Sequence, residues 1–301
     1  MRLVRKGKVK EVYEVSRAEL EFVFTDQISV FDKVIPSLVP HKGETLCRTS
    51  AHWFKAARDM GVRTHFLGLP APNRMRVRRV QVISEYDKIR PTTRNFLIPL
   101  EVIARYYVAG SFYDRVKAGA IRAEDVGFPK GYVPAYGERL PEPFVEVTTK
   151  LEKVDRELSK EEALTISKLS PHEYEELIEA VLRIDERLNA DVRKRGLIHV
   201  DGKKEFAMDP ERQLMLVDTF GTADEDRFWD AAAYERGECI ELSKEFVRQH
   251  YRRIGYHQAL MDARSAGRPE PDIPALPEEV LKQVSELYVG LFERLTGERF
   301  R

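Results

Sequence analysis

Cysteine is nearly missing from this chain: Cys47 and Cys239 are the only two, and they stand in no metal-binding or redox spacing. No disulfide is expected, and a reducing cytoplasm is the expected compartment. Net charge is missing as well. The 50 Lys and Arg residues balance the 50 Asp and Glu residues. No global field therefore draws the protein to nucleic acid or to an anionic membrane, and small-molecule partners are expected. Long apolar runs are also lacking, and the basic start Met1–Lys10 leads into none, so neither a bilayer span nor an export signal is expected. The seven histidines, His41, His52, His65, His172, His199, His250 and His257, show no ligand spacing and read as surface or satisfied core positions. Asparagine occurs only at Asn73, Asn95 and Asn189 while Glu, Lys and Arg abound, a composition that points to a heat-adapted source. There is no internal repeat and no low-complexity tract.

What is present is enough for a full core. At 301 residues the chain suits one compact enzyme of two or three subdomains. Leu3–Val4, Val9–Val15 and Phe22–Phe24 read as short strands around the turn-like Lys6-Gly7-Lys8, so the chain opens in antiparallel sheet. Glu44 to Met60 has helical spacing, with Trp53 and Phe54 on its apolar stripe and Gly61 as its stop; Arg76 to Ile83 returns to strand. Ser84 to Leu97 lacks periodicity and reads as an inserted loop, and Gly127 to Pro143 reads as a long ordered loop. Two capping boxes follow, Ser159-Lys-Glu-Glu162 and Ser170-Pro-His-Glu173. The second opens a helix whose stripe includes Leu177, Val181, Leu188 and Val192. Leu197–Met208 and Gln213–Asp218 form a hairpin around Asp209-Pro-Glu-Arg212, and Ser243–Ala263 and Pro277–Leu295 are amphipathic helices. The fold class is α+β.

Chemistry concentrates in two places. In Ile98–Ser111 an apolar strand carries Glu101, Ile103 and Arg105 on one face and runs into a Gly110-Ser111 helix start, with Ser111 expected as N-cap. Free N–H groups at a helix start beside a guanidinium suit a phosphate or carboxylate. A structural Glu101–Arg105 pair would read the same way, and the residues alone leave both open. In Val200-Asp-Gly-Lys-Lys-Glu-Phe206 the period of two places Asp201, Lys203 and Glu205 on one face, and Asp218 on the return strand is expected to join them. Carboxylates from two strands plus a lysine can cradle Mg²⁺ and phosphate; a solvated hairpin face is the alternative. Further basic features are Gly7-Lys-Val-Lys-Glu-Val-Tyr13 and Lys150, and Lys244 and Arg248 read as a solvated helix face.

Taken in order, these blocks resemble the SAICAR synthetase family. Residues 98–111 are similar to its first signature and Asp201–Phe206 to its second, followed by Asp218 and by Thr222, Asp224, Arg227, Phe228 and Trp229 as a Thr-x-Asp-x-x-Arg-Phe-Trp turn. Thr25–Asp32 with Lys42-Gly43, Thr148-Thr-Lys150 and the Gly7 hairpin match further blocks, so the likeness runs from about Gly7 to Arg248. Departures are Gly202, Ala207, Thr219, Ala223 and Gln27. The resemblance implies ATP-dependent ligation of L-aspartate to the carboxylate of carboxyaminoimidazole ribonucleotide through an acyl phosphate, giving the succinocarboxamide, ADP and phosphate. It implies that Arg105, Ser111 and Arg227 hold the ribonucleotide phosphate, that Lys203 and Asp201 serve the reacting carboxylate, and that Asp32, Ser29 and Asp224 lie near the substrates. Gly7, Lys8, Lys10, Lys150 and Glu205 would face ATP, and Asp218, Glu205 and Asp201 would hold Mg²⁺, with Asp155 a partner for Lys150. Residues 1–97 would form an antiparallel nucleotide-binding subdomain like that of kinases and ATP-grasp proteins, 98–240 a central ATP- and ribonucleotide-binding subdomain, and 241–301 C-terminal helices. Self-association into a homo-oligomer is left open. Two other readings are a kinase-like phosphotransferase acting on a hydroxyl, and an RNA-binding module built on Arg74, Arg76, Arg78 and Arg79 with the N-terminal lysines.

Overall fold

The computed structural model describes residues 1–301. Strands β1 (Arg2–Lys6), β2 (Lys10–Glu14) and β3 (Glu19–Phe24) meander antiparallel, and after β4 (Gln27–Val30), β5 (Lys33–Leu38) and helix α1 (Lys42–Asp59) the chain adds β6 (Phe66–Ala71) and β7 (Arg74–Arg78) to them. The sheet order is β1-β2-β3-β7-β6, with β4 and β5 pairing separately. Helix α1 buries Trp53 and Phe54 beneath this sheet, worth roughly 2–3 kcal/mol per aromatic side chain. Gly61 ends the helix region with a left-handed φ of 79°. The expected return strand is β7, which starts two residues earlier than the sequence pattern indicates and stops at Arg78.

The second sheet carries the chemistry. It runs β10-β9-β8-β11-β12, with β13 also paired to β11. Its members are β8 (Phe96–Tyr107), β9 (Arg139–Thr149), β10 (Glu157–Leu158), β11 (Leu197–Met208), β12 (Leu214–Val217) and β13 (Asp226–Asp230). Helices α2 (Gly110–Lys117), α3 (Lys160–Ser167) and α4 (Pro171–Arg193) lie between its strands in sequence, and both α3 and α4 open on intact capping boxes. Leu177, Val181, Ile184 and Leu188 of α4 are buried in the main core.

Three expectations are corrected. The Gly127–Pro143 segment is loop only to Glu138; β9 follows, hidden from pattern reading by Pro141 and Pro143 where its pairing with β8 is irregular, and regular from Phe144 to Thr149. Arg227-Phe-Trp229 is strand rather than turn, paired to β11 opposite His199 and Asp201. The helix expected over Ser243–Ala263 is two, α6 (Glu245–Arg253) and α7 (Tyr256–Ser265), broken at Gly255 with φ 79°. After α5 (Ala231–Glu235), α6 and α7, the chain ends in α8 (Glu278–Thr296), which packs on α1. One continuous apolar core joins Phe22 of β3 to Leu295 of α8. No helix is long and apolar enough to cross a membrane. Both cysteines are free.

Candidate active site

The site is written along one face of β11. Alternation sends Asp201, Lys203 and Glu205 to the cleft and Lys204 into the layer beneath, where it is fully buried. On the neighbouring β8, Arg105 stands opposite Asp201 and Glu101 opposite Glu205. The pattern of charges therefore repeats across the strand pair, with an arginine end and a lysine–carboxylate end.

At the arginine end, Arg105 donates to Glu146 of β9 through Nε at 2.7 Å and to Asp201 through Nη1 at 3.2 Å. Arg115 of α2 also grips Glu146. Arg227 of β13 reaches the same place: its Nη2 donates to Glu245 at 3.4 Å, while its Nε and Nη1 are buried without a hydrogen-bond partner, Glu241 lying 3.8 Å from Nε and Asp201 3.9 Å from Nη1. A buried guanidinium with free N–H groups beside a helix start is a place for an anion. Gly110 makes the approach possible: its φ is 55°, and a Cβ there would lie 2.4 Å from Arg227 Nη1. Ser111 sits here but does not cap α2; Ala109 is the N-cap and Ser111 occupies the first turn, free to turn its hydroxyl toward a ligand. Burial would raise the Asp201 carboxyl, but Arg227 and Arg105 outweigh it and hold it below the usual range. The alternative Glu101–Arg105 pair does not form, since Glu101 faces lysines instead.

At the other end, Lys203 donates to Glu205 at 2.6 Å and to Glu101 at 2.8 Å, and lies 3.4 Å from Glu225. Lys150, where β9 ends, pairs with Glu205 and sits 3.5 Å from Glu101; Asp155, its expected partner, makes no ion pair with it. Asp218 arrives by a route the strand period does not give. Val217 is the residue opposite Glu205, so a regular strand would turn Asp218 toward the face of Lys204. Its φ of 60° ends β12 and swings the carboxylate to Lys10 of β2, with which it forms an ion pair. Burial opposes the charged form of each of these groups. For Asp218, Lys10, Lys150 and Lys203 outweigh it and pull the carboxyl well below the usual range; for Glu205, Lys203 and Lys150 outweigh it and lower the carboxyl. Glu101 is the exception: burial dominates and pushes it up to about 7.

The remaining residues line the approach. Gly7 closes the β1–β2 turn, its N–H donating to Lys10 O at 2.8 Å, and Lys8 bonds Asp32 at 2.6 Å across to the β4–β5 turn, beside which Ser29 is buried in β4. Asp26 accepts from the Gly43 N–H, and Gly43 must lack a Cβ because one would lie 2.6 Å from Phe24 O. Asp224 is engaged: Lys42 donates to it at 2.9 Å, Tyr288 of α8 at 2.6 Å, and Lys244 lies 3.7 Å away. Lys244 is thus a half-buried partner of Asp224 rather than part of a solvated face, and Arg248 leans on Glu245 at 3.2 Å. Sequence reasoning does not single out Glu146 or Tyr288, which lie outside the motifs, or Glu225, which fills an unspecified position of the Thr222–Trp229 motif; only tertiary pairing identifies them. The resemblance also implies Asp201 as a metal ligand. Four residues along a strand, Asp201 lies roughly 13 Å from Glu205, and one ion cannot bind both. The arginine patch fails as a nucleic-acid surface, because Arg74 and Arg76 pair with Glu21 and Arg79 with Glu14.

An α+β chain with an anion-holding arginine end and a lysine–carboxylate end on one sheet face has the build of an enzyme that works on a phosphorylated substrate and a nucleotide together. The SAICAR synthetase family model matches residues 3–262. Phosphoribosylaminoimidazole-succinocarboxamide synthase of Thermoplasma acidophilum is 51% identical over 300 residues, covering 100% of both chains. That of Bacteroides fragilis is 33% identical over 304 residues, covering 99% of this chain and 88% of its own. A SAICAR synthetase solved in complex with ADP superposes with TM-score 0.71 at 26% identity, covering 99% of each chain. The Saccharomyces cerevisiae SAICAR synthase, solved with SAICAR, shares the fold, with TM-score 0.77 at 24% identity, 99% of this chain and 95% of its own. The chain belongs to the SAICAR synthetase family.

Proposed function

We propose that the two ends of the β11 face serve the two halves of one ligation, in which ATP activates the carboxylate of carboxyaminoimidazole ribonucleotide and L-aspartate displaces phosphate to give the succinocarboxamide. The observation that carries this reading is the row Asp201, Lys203, Glu205, set between the unpartnered N–H groups of Arg227 and the Lys10–Asp218 pair. Arg105, Arg227 and Ser111 hold the ribonucleotide phosphate, and Asp201 keeps the two guanidinium groups together while facing the base. Gly7, Lys8, Lys10 and Lys150 hold the nucleotide phosphates, with residues 1–97 supplying that side of the cleft and 98–240 the rest. Ser29 and Asp32 border the nucleotide entrance, and Asp224 fixes Lys42 and Lys244 at the aspartate side.

Mg²⁺ fits the lysine–carboxylate end by the chemistry of its donors, since Asp218 and Glu205 offer hard anionic oxygens, Glu205 Oε2 being held by Lys150. These two residues would hold it, and bound there it would supply charge neutralisation for the transferring phosphoryl. Lys203 does the corresponding work from the protein. Burial lowers an ammonium, but Glu205, Glu225 and Glu101 outweigh it and keep Lys203 protonated far above neutral pH. It is therefore a fixed cation between acceptor and donor. A carboxylate oxygen of the ribonucleotide attacks the γ-phosphorus and ADP leaves; the aspartate amine then attacks the acyl carbon, phosphate leaves with its electron pair, and the nitrogen loses a proton as the amide forms. No covalent protein nucleophile takes part. A hydroxyl acceptor, the phosphotransferase reading, is not favoured, since the relatives named above are synthases. The test is ADP release with ATP, Mg²⁺, the carboxylated ribonucleotide and aspartate, each omitted in turn. Succinocarboxamide should require all four, and steady ADP release with a hydroxyl compound in place of the ribonucleotide would overturn the reading.

A further inference from the structure

Beneath the cleft, on the opposite face of β11, lies a second charged cluster whose side chains hydrogen-bond to none of the site's side chains. Lys204 is fully buried and sits 2.5 Å from Asp185 of α4 and 3.9 Å from Asp226, both of them also buried. Asp226 accepts from His199 at 2.8 Å, His199 meets Asn189 through its other ring nitrogen at 3.0 Å, and Tyr106 donates to Asp185 at 3.1 Å. The carboxylates of Asp185 and Asp226 and the imidazole of His199 place ligand atoms within 4.8 Å of one another. That is the spacing of a small cation site, and the Lys204 ammonium occupies the position of the cation.

The cluster is costly unless it has a use, because buried charges contribute little net stability even when well paired. Its connections give the use. Asp226 opens β13, its second carboxylate oxygen accepts from the Gly221 N–H at 2.8 Å, and its own N–H donates to Thr222 O. Its neighbours on either side are Glu225, which lies against Lys203, and Arg227, which fills the anion end; Asp224, one further back, holds Lys42. Gly202 belongs to the same device. A Cβ there would lie 2.1 Å from Asp226 Oδ2 and 2.7 Å from His199 Nε2, so the absent side chain is the space in which the cluster sits.

We infer that Lys204, Asp185, His199 and Asp226 form a positioning device that sets the Gly221–Arg227 segment, and with it the Arg227 guanidinium, from the back of the sheet. Lys204 keeps two buried carboxylates from repelling each other; without it Asp226 is pushed off Gly221 and His199 and Arg227 moves with it. Burial disfavours the Lys204 ammonium, but Asp185 and Asp226 outweigh it and raise its pKa, so the cation persists.

This inference rests on the assignment of Arg227 to the ribonucleotide phosphate, and calorimetry with ADP and with the carboxylated ribonucleotide separates the two. If the wild type binds ADP but not the ribonucleotide, that assignment fails. If it binds both, Lys204→Met should weaken the ribonucleotide tenfold or more and ADP less than twofold. The double variant Lys204→Met with Asp185→Asn, which removes both charges, should regain most of the ribonucleotide affinity. Asp226→Asn, which leaves the Lys204–Asp185 pair intact, should show the same ribonucleotide-selective loss, and it decides the matter if Lys204→Met does not fold. Lower thermal stability with unchanged affinity for both ligands in the folded variants would overturn the inference and leave the cluster as core packing.

Discussion

Arg105 is the residue whose chemistry is least replaceable. It spans Glu146 and Asp201 through separate guanidinium nitrogens, a fork that an ammonium cannot reproduce. Arg105→Lys should weaken ribonucleotide binding by about tenfold or more, ~1.4 kcal/mol, and leave ADP binding near normal, as read by calorimetry. Equal loss for both ligands would mean that Arg105 supports the fold instead. Glu205→Gln and Asp218→Asn each remove an anionic oxygen from the proposed metal position and should raise the Mg²⁺ concentration needed for half-maximal activity; wild-type behaviour of both at limiting Mg²⁺ would count against the assignment. Glu101 gives a pH signature. Its folded pKa of about 7 stands above the ordinary carboxylate value, so the folded protein binds the extra proton. The resulting stability is full below pH ~4.5 and is lost as pH rises through about 7. The measure is a difference, because burial of the His65 imidazole makes a contribution of opposite sign: in urea denaturation from pH 5 to 8 the stability of the wild type relative to Glu101→Gln should fall as pH rises.

The elements place these residues by simple rules, with two exceptions. The Ser170 capping box starts α4 as its Ser-x-x-Glu pattern implies, with Glu173 N–H donating to Ser170 Oγ at 3.2 Å and the Ser170 N–H to Glu173 at 2.7 Å. Ser170→Ala should cost about 1 kcal/mol in denaturant unfolding without touching substrate affinity. The first exception is the start of α2, where Gly110 rather than a capping serine is required. Gly110→Ala should push Arg227 aside and weaken the ribonucleotide more than ADP, whereas unchanged ribonucleotide affinity would show that the close contact relaxes at little cost. The second is the end of β12, where the left-handed turn at Asp218 breaks the alternation. The β11 row was legible because period two is local, and the two arginine positions because they lie in ordered motifs. The partners Glu146 and Tyr288 were not, because each comes from an element distant in sequence, nor was Glu225, an unspecified motif position whose contact with Lys203 only packing makes. β9 was obscured by its prolines, and the Lys204 cluster by its assembly from α4, β11 and β13, which only packing brings together.

For the molecule as a whole, the C-terminal helix is part of the site's support. Tyr288 of α8 bonds Asp224, and α8 packs on α1, whose first residue Lys42 bonds the same carboxylate. Two ends of the chain thus converge on one buried aspartate within one continuous core. Around that frame the central chemical step is that the carboxylate of the ribonucleotide takes the γ-phosphoryl group before aspartate attacks the acyl carbon. A heavy-oxygen label in that carboxylate tests it most directly. During turnover with ATP, Mg²⁺ and aspartate, mass spectrometry of the released phosphate should find one labelled oxygen per molecule, carried over from the acyl phosphate. Unlabelled phosphate, with the label retained in the product or lost to water, would contradict the account.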